Sequence, residues 1–201
     1  MNKIFIIGGG TSLNGFDYSI LKNEDTITVN RSIFDVPNPN YWITMDYNNY
    51  LVNLRDDKRY EKFIFNTAQK YLIVKRTILK NYYDVTDIQH IIFASNEKYF
   101  GNDYENFAHG NNSGFCALQL AIIKRYKEIY LLGVDLCTKD GKSHYHDDYS
   151  ALKSNYERWF KNFYLSIRDY QGESKIYSCS KISRLNDFID FKNINEVLNE
   201  K

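Results

Sequence analysis

Apolar residues along this chain gather in short runs separated by polar turns, the pattern of buried strands joined by crossovers. Lys3 to Ile7 (KIFII) reads as an uninterrupted strand and passes at once into Gly8-Gly9-Gly10-Thr11-Ser12, before the helix-like stretch SLNGFDYSIL. This order is strand, glycine turn, helix. A second strand, Thr26 to Asn30 (TITVN), follows a polar turn. A third, Tyr41 to Met45 (YWITM), follows the Pro37-Asn38-Pro39 breaker and ends at Asp46. Lys70 to Val74 and His90 to Ala94 (HIIFA) are further strand candidates, and the polar segment between them, rich in Asn and Tyr, carries no assignable period.

The clearest strand-crossover signal lies between Ser113 and Asp135. SGFCALQLAIIKRYKE reads as a helix with small and apolar residues on one face, and Ile129 to Val134 is a continuous apolar run of the kind found in parallel sheets covered on both sides. A polar loop, TKDGKSHYHDDY, leads into an amphipathic helix through Trp159, Phe163 and Ile167, and then a last strand, KIYSC. The alternation predicts an α/β fold: a Rossmann-like, doubly wound, mostly parallel sheet with helices on both faces. With 201 residues and no repeat, low-complexity tail or linker, residues 1–201 are expected to form a single domain.

Composition narrows the function. Lys+Arg and Asp+Glu nearly cancel at 26 to 25, so no overall field draws in polyanions and nucleic acid is not an expected partner. No apolar run reaches the roughly 18 residues of a membrane span, and Met1 to Ile7 is too short for a signal peptide, so a cytoplasmic location is expected. Cys116, Cys137 and Cys179 are odd in number and far apart, which suits small buried hydrophobes better than a disulfide framework or zinc site. The 18 Tyr and 13 Phe can line a sugar or base pocket or fill a wet-rimmed core.

Four polar constellations could carry chemistry. Gly8, Gly9, Gly10, Thr11 and Ser12 can present backbone N–H groups to an anion beside a helix N-terminus, or form a tight turn with Ser12 as cap. The turn matches neither GxGxxG nor GxxxxGK[ST]. Asn30, Asp46 and Asp135 close strands, at the carboxyl edge where open α/β sheets bind ligands. Asn30 could hydrogen-bond a base or ribose, and Asp46 or Asp135 could bind a hydroxyl or a metal, although Asp135 could equally cap a turn. Asn112, Ser113 and Gly114, within Gly110-Asn111-Asn112-Ser113-Gly114, open a second helix, as cap or anion donors or both. Finally Ser143 to Tyr149 gathers His144 and His146 with Asp147 and Asp148. A histidine there could act as general acid or base, or the loop could be merely solvated. The His-x-His spacing lacks the further ligands of a metal site. His109 could join the third constellation, whereas His90 begins a strand and reads as structural.

Taken together, IIGGGTSLNGFDYSIL, TVN, NNSGFCALQLAIIKRYKEIYLLGVDL, SHYHDDY and IYSCSKISRLNDFI resemble a superfamily of three branches. These are the Campylobacter-type sialyltransferases, the motility-associated flagellin glycosyltransferases and the archaeal-type hydroxymethylpterin pyrophosphokinases. The segments keep family order over nearly the whole chain, and the pattern is most similar to small phage-encoded members. The resemblance implies a nucleotide-sugar fold with no required metal, in which the first glycine turn and Asn30 hold CMP and Ser113-Gly114 contact the donor. It also implies that Tyr145 touches phosphate and that His146, with His144 second, is the catalytic base. There are departures. Gly9 stands where the sialyltransferase turn has asparagine, and Gly110 where it has arginine. Set against those sialyltransferases, the resemblance leads to the expectation that the C-terminal membrane-associating extension and much of the acceptor lid have no counterpart here, and that the acceptor site is smaller or completed by a partner chain.

The expected function is therefore glycosyl transfer from a nucleotide-activated sugar such as a CMP-sugar to a small-molecule or glycan acceptor. A histidine would be the base, no metal would be needed, and homo-oligomerisation is compatible with the tyrosine-rich surface. The alternatives are Mg²⁺-dependent diphosphate transfer from ATP, with Asp46 and Asp135 on the metal, and noncatalytic nucleotide binding.

Overall fold

The computed structural model describes residues 2–75, 87–146 and 155–199. Most of the unassigned Asn- and Tyr-rich segment, 76–86, lies outside them. The described strands are β1 (Lys3–Ile7), β2 (Thr26–Val29), β3 (Tyr41–Thr44), β4 (Gln69–Lys75), β5 (His90–Ala94), β6 (Glu128–Leu132) and β7 (Lys175–Ser178). They form one seven-stranded sheet in the order β5-β4-β3-β2-β1-β6-β7. Every pairing is parallel. The chain winds outward from β1 to one edge, then returns to lay β6 on its other side. The switch point of this Rossmann-like sheet is therefore the β1–β6 junction, where a crevice opens beyond the strand ends.

The helices are α1 (Val52–Arg55), α2 (Tyr60–Ile64), α3 (Ser113–Ile123), α4 (Tyr156–Arg168) and α5 (Ile194–Asn199). Side chains alternate across each strand, so Ile4 and Ile6 join the apolar cluster containing α3, while Phe5 and Ile7 join another with Leu13, Leu21 and Val197. A third cluster packs Trp42, Leu72 and Val74 against Leu51, Leu54 and Phe63. Core thus lies on both faces, which is why the strands read as continuous apolar runs.

Two helices differ from expectation. Ser113 to Ile122 are all buried, so α3 has no solvent face: it lies along β1, β2 and β3, and Phe163 of α4 meets Phe115 edge-on at 5.3 Å. It stops at Ile123, five residues early, where Arg125 takes a left-handed φ of 63°. The larger difference follows β1. SLNGFDYSIL forms no α-helix but two 3₁₀ turns, Thr11–Leu13 and Tyr18–Leu21. Gly15 at φ 72° breaks the run, and the Asp17 carboxylate restarts it by accepting from the Ser19 N–H.

Candidate functional site

A cleft of about 350 Å³ opens at the β1–β6 switch point. Its floor is two strand ends that touch. A Cβ on Gly8 would strike the Gly133 carbonyl, and one on Gly10 the Asp135 carboxylate. The glycines are required by this approach, and the contact is hydrogen-bonded. The Gly8 N–H donates to the Leu132 carbonyl at 2.8 Å and the Gly10 N–H to that of Gly133 at 2.8 Å. Ser12 donates from its backbone to Asp135 Oδ2 at 2.8 Å and from its hydroxyl to Oδ1 at 2.7 Å.

This changes the roles expected of these residues. Asp135, 3% exposed, caps the glycine turn 123 residues upstream rather than a turn that follows it. Ser12 is not the cap but the group capped, inside a 3₁₀ turn whose N-cap position is Gly10. With the amides of Gly8, Gly10 and Ser12 committed to the protein, the turn's donors for a ligand narrow to those of Gly9 and Thr11. A three-residue 3₁₀ turn also lacks the aligned dipole of an α-helix.

That dipole comes from α3. Its N-cap is Asn112, whose side chain accepts from the Phe115 N–H at 3.0 Å, and Asn112, Ser113 and Gly114 all line the cleft opposite the glycine turn. The N–H groups of Ser113 and Gly114, in the first turn, point where an anion gains from the helix field. Gly110 and Asn111 enter this helix in left-handed conformation, φ 56° and 52°. A Cβ on Gly110 would meet the Phe115 ring, so an arginine cannot stand here without rebuilding the approach to α3.

Asn30, Asp46 and Ser113 form one network. Asn30 Nδ2 donates to Asp46 Oδ2 at 3.0 Å and the Ser113 hydroxyl to the same oxygen at 3.0 Å, while the Thr44 hydroxyl donates to Asn30 Oδ1 at 2.6 Å. Asn30 is itself held at φ 53°, its carbonyl accepting from Nε1 of the fully buried Trp42 at 2.8 Å. The ends of β2 and β3 and the start of α3 are thereby tied into one rim. A π-helical turn, Tyr47–Leu51, begins directly after Asp46, whose carbonyl accepts from Leu51 N–H.

The histidine loop lies over the turn. The Tyr145 N–H donates to the Gly9 carbonyl at 3.1 Å, and a Cβ on Gly9 would come within 2.9 Å of His144 Cδ2 and 3.5 Å of His146 Nε2. The two imidazoles are 5.2 Å apart and both line the cleft. His144 Nδ1 is 2.8 Å from the Ser143 hydroxyl. Burial pushes its pKa down, against a smaller upward pull from the Asp46 and Asp135 charges. Tyr145 is oriented elsewhere. Its hydroxyl donates to Asp35 Oδ2 at 2.6 Å; burial, and after it this bond, raises its pKa, and it lines a second cleft instead. Asp147, Asp148 and Tyr149 lie outside the described residues.

Sequence reasoning missed Arg31, Asn155, Tyr156 and Trp159 in the cleft, while Asn111, part of the polar turn before α3, lines it beside Asn112. Trp159 had been placed on the apolar stripe of α4, and its helical spacing from Tyr156 offers the one signal that the stripe extends into the site. Arg31 brings a cation beside Asn30, its Nη1 paired with Asp35 Oδ2 at 2.8 Å. Lys75 Nζ holds the Asn111 Oδ1 at 2.5 Å. His109 sits behind the cleft: its Nδ1 accepts from the Asn111 N–H at 3.0 Å, and burial, aided by Lys75, lowers its pKa to about 4. It is the neutral Nε2–H tautomer. His90, at the start of β5, stacks on Tyr71 at 4.4 Å and lines neither cleft. Among the described residues no group of three or more His, Cys, Asp and Glu could hold a metal ion, the three cysteines are unpaired, and no helix is long and apolar enough to cross a membrane.

Fold and cleft together define a Rossmann-like parallel α/β protein with an anion-ready crevice at its switch point. The fold is similar to that of Campylobacter jejuni sialyltransferases over most of the chain. Against sialyltransferase CstII in complex with cytidine-5'-monophosphate the TM-score is 0.56 at 21% identity, covering 95% of this chain and 85% of that one. Against CstII in complex with CMP-3FNeuAc it is 0.56 at 17%, covering 95% and 86%. Against the monofunctional alpha-2,3-sialyltransferase Cst-I it is 0.55 at 16%, covering 95% and 80%. At such identities the likeness establishes the fold. No family model and no curated protein matches the sequence.

Proposed function

We propose that this chain is a glycosyltransferase taking its sugar from a nucleotide-activated donor, a CMP-sugar or a close relative, with a histidine as base and no metal. The observation that carries the reading is convergence: one cleft at the switch point holds the N-terminus of α3, the Gly9 turn, the Asn30–Asp46–Ser113 rim and two imidazoles. The likeness to structures solved with CMP and CMP-3FNeuAc supports this donor class. The first-turn amides of α3 and the Gly9 amide bind the donor phosphate, and Asn30 or Asn111 meets the nucleoside. Tyr156 and Trp159 form an apolar wall for a flat ring.

As the sugar–phosphate bond breaks, negative charge grows on the departing phosphate, and the α3 N-terminus is already oriented to stabilise it. The acceptor hydroxyl loses its proton to an imidazole. His144 is suited to this step. Its ring is held through Ser143, and burial pushes its pKa down, which favours the unprotonated form that a base requires. His146 lines the same cleft as the second candidate. The diphosphate-transfer alternative draws less support, because both Asp135 oxygens already accept from Ser12.

A thermal-shift screen of CMP, CDP, UDP, GDP, ADP, ATP and their sugar conjugates, with and without Mg²⁺, tests the donor. Metal-independent stabilisation by CMP or a CMP-sugar is expected, and stabilisation by ATP only with Mg²⁺ would replace this reading with diphosphate transfer. Release of CMP from the donor should fall ~10²–10⁴-fold in His144→Asn. Undiminished turnover in His144→Asn, His146→Asn and the double variant would eliminate the histidine base.

A further inference from the structure

Tyr145 stands between His144 and His146 in sequence, yet the two imidazoles line the switch-point cleft and the ring between them does not. Both ends of that tyrosine are tied down. Its backbone N–H donates to the Gly9 carbonyl at 3.1 Å and its hydroxyl to Asp35 Oδ2 at 2.6 Å. A tyrosine side chain has only two torsions, so fixing its amide and its phenol oxygen together leaves the residue little freedom. The ring between those ends is packed as well. The Tyr18 ring centroid lies 6.2 Å from its own, and Arg31 Cζ lies 5.7 Å from its centroid.

The far end of this anchor is itself fixed to the sheet. Asp35 is the C-cap of the 3₁₀ turn Asn30–Phe34, its N–H donating to the Ser32 carbonyl at 3.1 Å. The buried Ser32 hydroxyl donates in turn to the Ile7 carbonyl at 2.8 Å, at the end of β1, and accepts from the Val29 N–H at 2.8 Å. Arg31, which lines the cleft, donates from Nη1 at 2.8 Å to the same Asp35 oxygen that Tyr145 uses. The histidine loop is thus tied to both turns that bound the donor side of the cleft, at Gly9 and after Asn30. A phosphate reaching the Tyr145 oxygen would stand beside the Asp35 charge, which makes this hydroxyl a poor partner for a departing phosphate.

We propose that Tyr145 and Asp35 are positioning residues: their hydrogen bond, together with that of the Tyr145 N–H to Gly9, sets the two imidazoles over the glycine turn. A base must come within hydrogen-bond reach of the proton it takes, and a misplacement of about 1 Å can cost about 10²-fold in rate. The effect on turnover rests on the glycosyltransferase reading; the anchoring of the loop does not.

NMR of the full chain reads the anchor, and kinetics reads its consequence. A Cβ on Gly9 would meet both imidazoles, so nuclear Overhauser contacts are expected in the wild type between the Gly9 α-protons and the His144 and His146 rings, assigned by their loss in His144→Gln and His146→Gln. Tyr145→Phe keeps the ring and the N–H and deletes only the bond to Asp35, while Asp35→Ala deletes it from the other side. Both should weaken the contacts, and Asp35→Asn, which keeps an acceptor, should weaken them less. The His90 and His109 signals should stay in place, showing that the fold is intact. In Tyr145→Phe, CMP affinity and the donor KM should hold within about twofold while kcat falls roughly tenfold or more. Should one variant not fold, the other decides. Contacts missing from the wild type, or of full strength in the variants, overturn the proposal. So does a loss of CMP affinity at unchanged kcat, which would make Tyr145 a phosphate ligand, and so do weakened contacts at unchanged kcat, which would leave a loop anchor that positions no base. If the wild type neither binds CMP nor transfers sugar, the donor reading falls and the positioning of a base with it, while the Overhauser contacts still decide whether Tyr145 and Asp35 hold the loop.

Discussion

Asp135→Ala removes the acceptor of two bonds that join the β1 and β6 ends, at 2.8 and 2.7 Å from Ser12. Hydrogen bonds to a charged group contribute about 1.5–3 kcal/mol each. Ser12 is partly open to water and loss of a buried carboxylate recovers some desolvation, so the lower figure applies and the total is about 2–3 kcal/mol. At about 2–4 °C per kcal/mol for a domain of this size, the melting temperature should fall by roughly 4–12 °C. Asp135→Asn keeps an acceptor for the Ser12 N–H and should lose about half as much. Urea unfolding of wild type, Ser12→Ala, Asp135→Ala and the double variant gives the coupling energy, expected at about 1 kcal/mol. An Asp135→Ala protein within about 0.5 kcal/mol of wild type, or strictly additive single changes, would refute the capping role. If Asp135 were instead a Mg²⁺ ligand, the same change would spare stability and abolish metal-dependent activity.

Other consequences follow from the same geometry. Burial and Lys75 bring the His109 pKa down to about 4 from the ordinary histidine value of about 6.5, so between these values the unfolded chain binds more protons. Stability is then complete above about 6.5 and falls as pH drops toward 4, by about 1–2 kcal/mol after discounting for partial exposure. His109→Asn, which keeps an acceptor for the Asn111 N–H, should flatten that slope in urea titrations across this range; His144, shifted the same way, retains a remainder. A slope identical in both proteins would remove His109 as its source. Gly9→Ala meets only the movable edge of His144 and should cost under about 1 kcal/mol while lowering turnover. Gly10→Ala drives into the Asp135 carboxylate and should cost at least about 2 kcal/mol, so equal melting temperatures for the pair would contradict the packing described. Ser113→Ala deletes the bonds to Asp46 and from Met45 N–H, and should lower stability by about 1–2 kcal/mol and nucleotide affinity with it; unchanged binding would take the rim out of the site.

Much of the architecture was legible because parallel strands are buried on both faces. KIFII, TITV and YWIT announce themselves as runs that no helix period explains, and the edge strand HIIFA, with Ile91 and Phe93 exposed, is apolar enough to read the same way; their boundaries fell within a residue or two of the observed ones. The helix expected after β1 was misread because its residue types permit a helix while Gly15 and the Asp17 cap favour short 3₁₀ turns. The brief helices α1 and α2 left no clear period in four and five residues. In the site, the glycine turn, Asn30, Asp46, Asn112 to Gly114 and the histidines were visible as residue types at strand ends and helix starts. Arg31, Tyr156 and Trp159 were not, since nothing local distinguishes a surface arginine or a stripe aromatic from one that faces a crevice.

By itself the sequence determined the class of the fold and the edge of the sheet at which polar groups collect, because burial on two faces and the glycine turns are local properties of consecutive residues. Only the tertiary structure decided what those groups do. Asp135 meets Ser12 across 123 positions, Ser113 meets Asp46 across 67, and His144 comes to stand between two clefts. Those pairings depend on β6 crossing back to lie beside β1, and a crossover sets the direction of a side chain through the packing of the whole sheet.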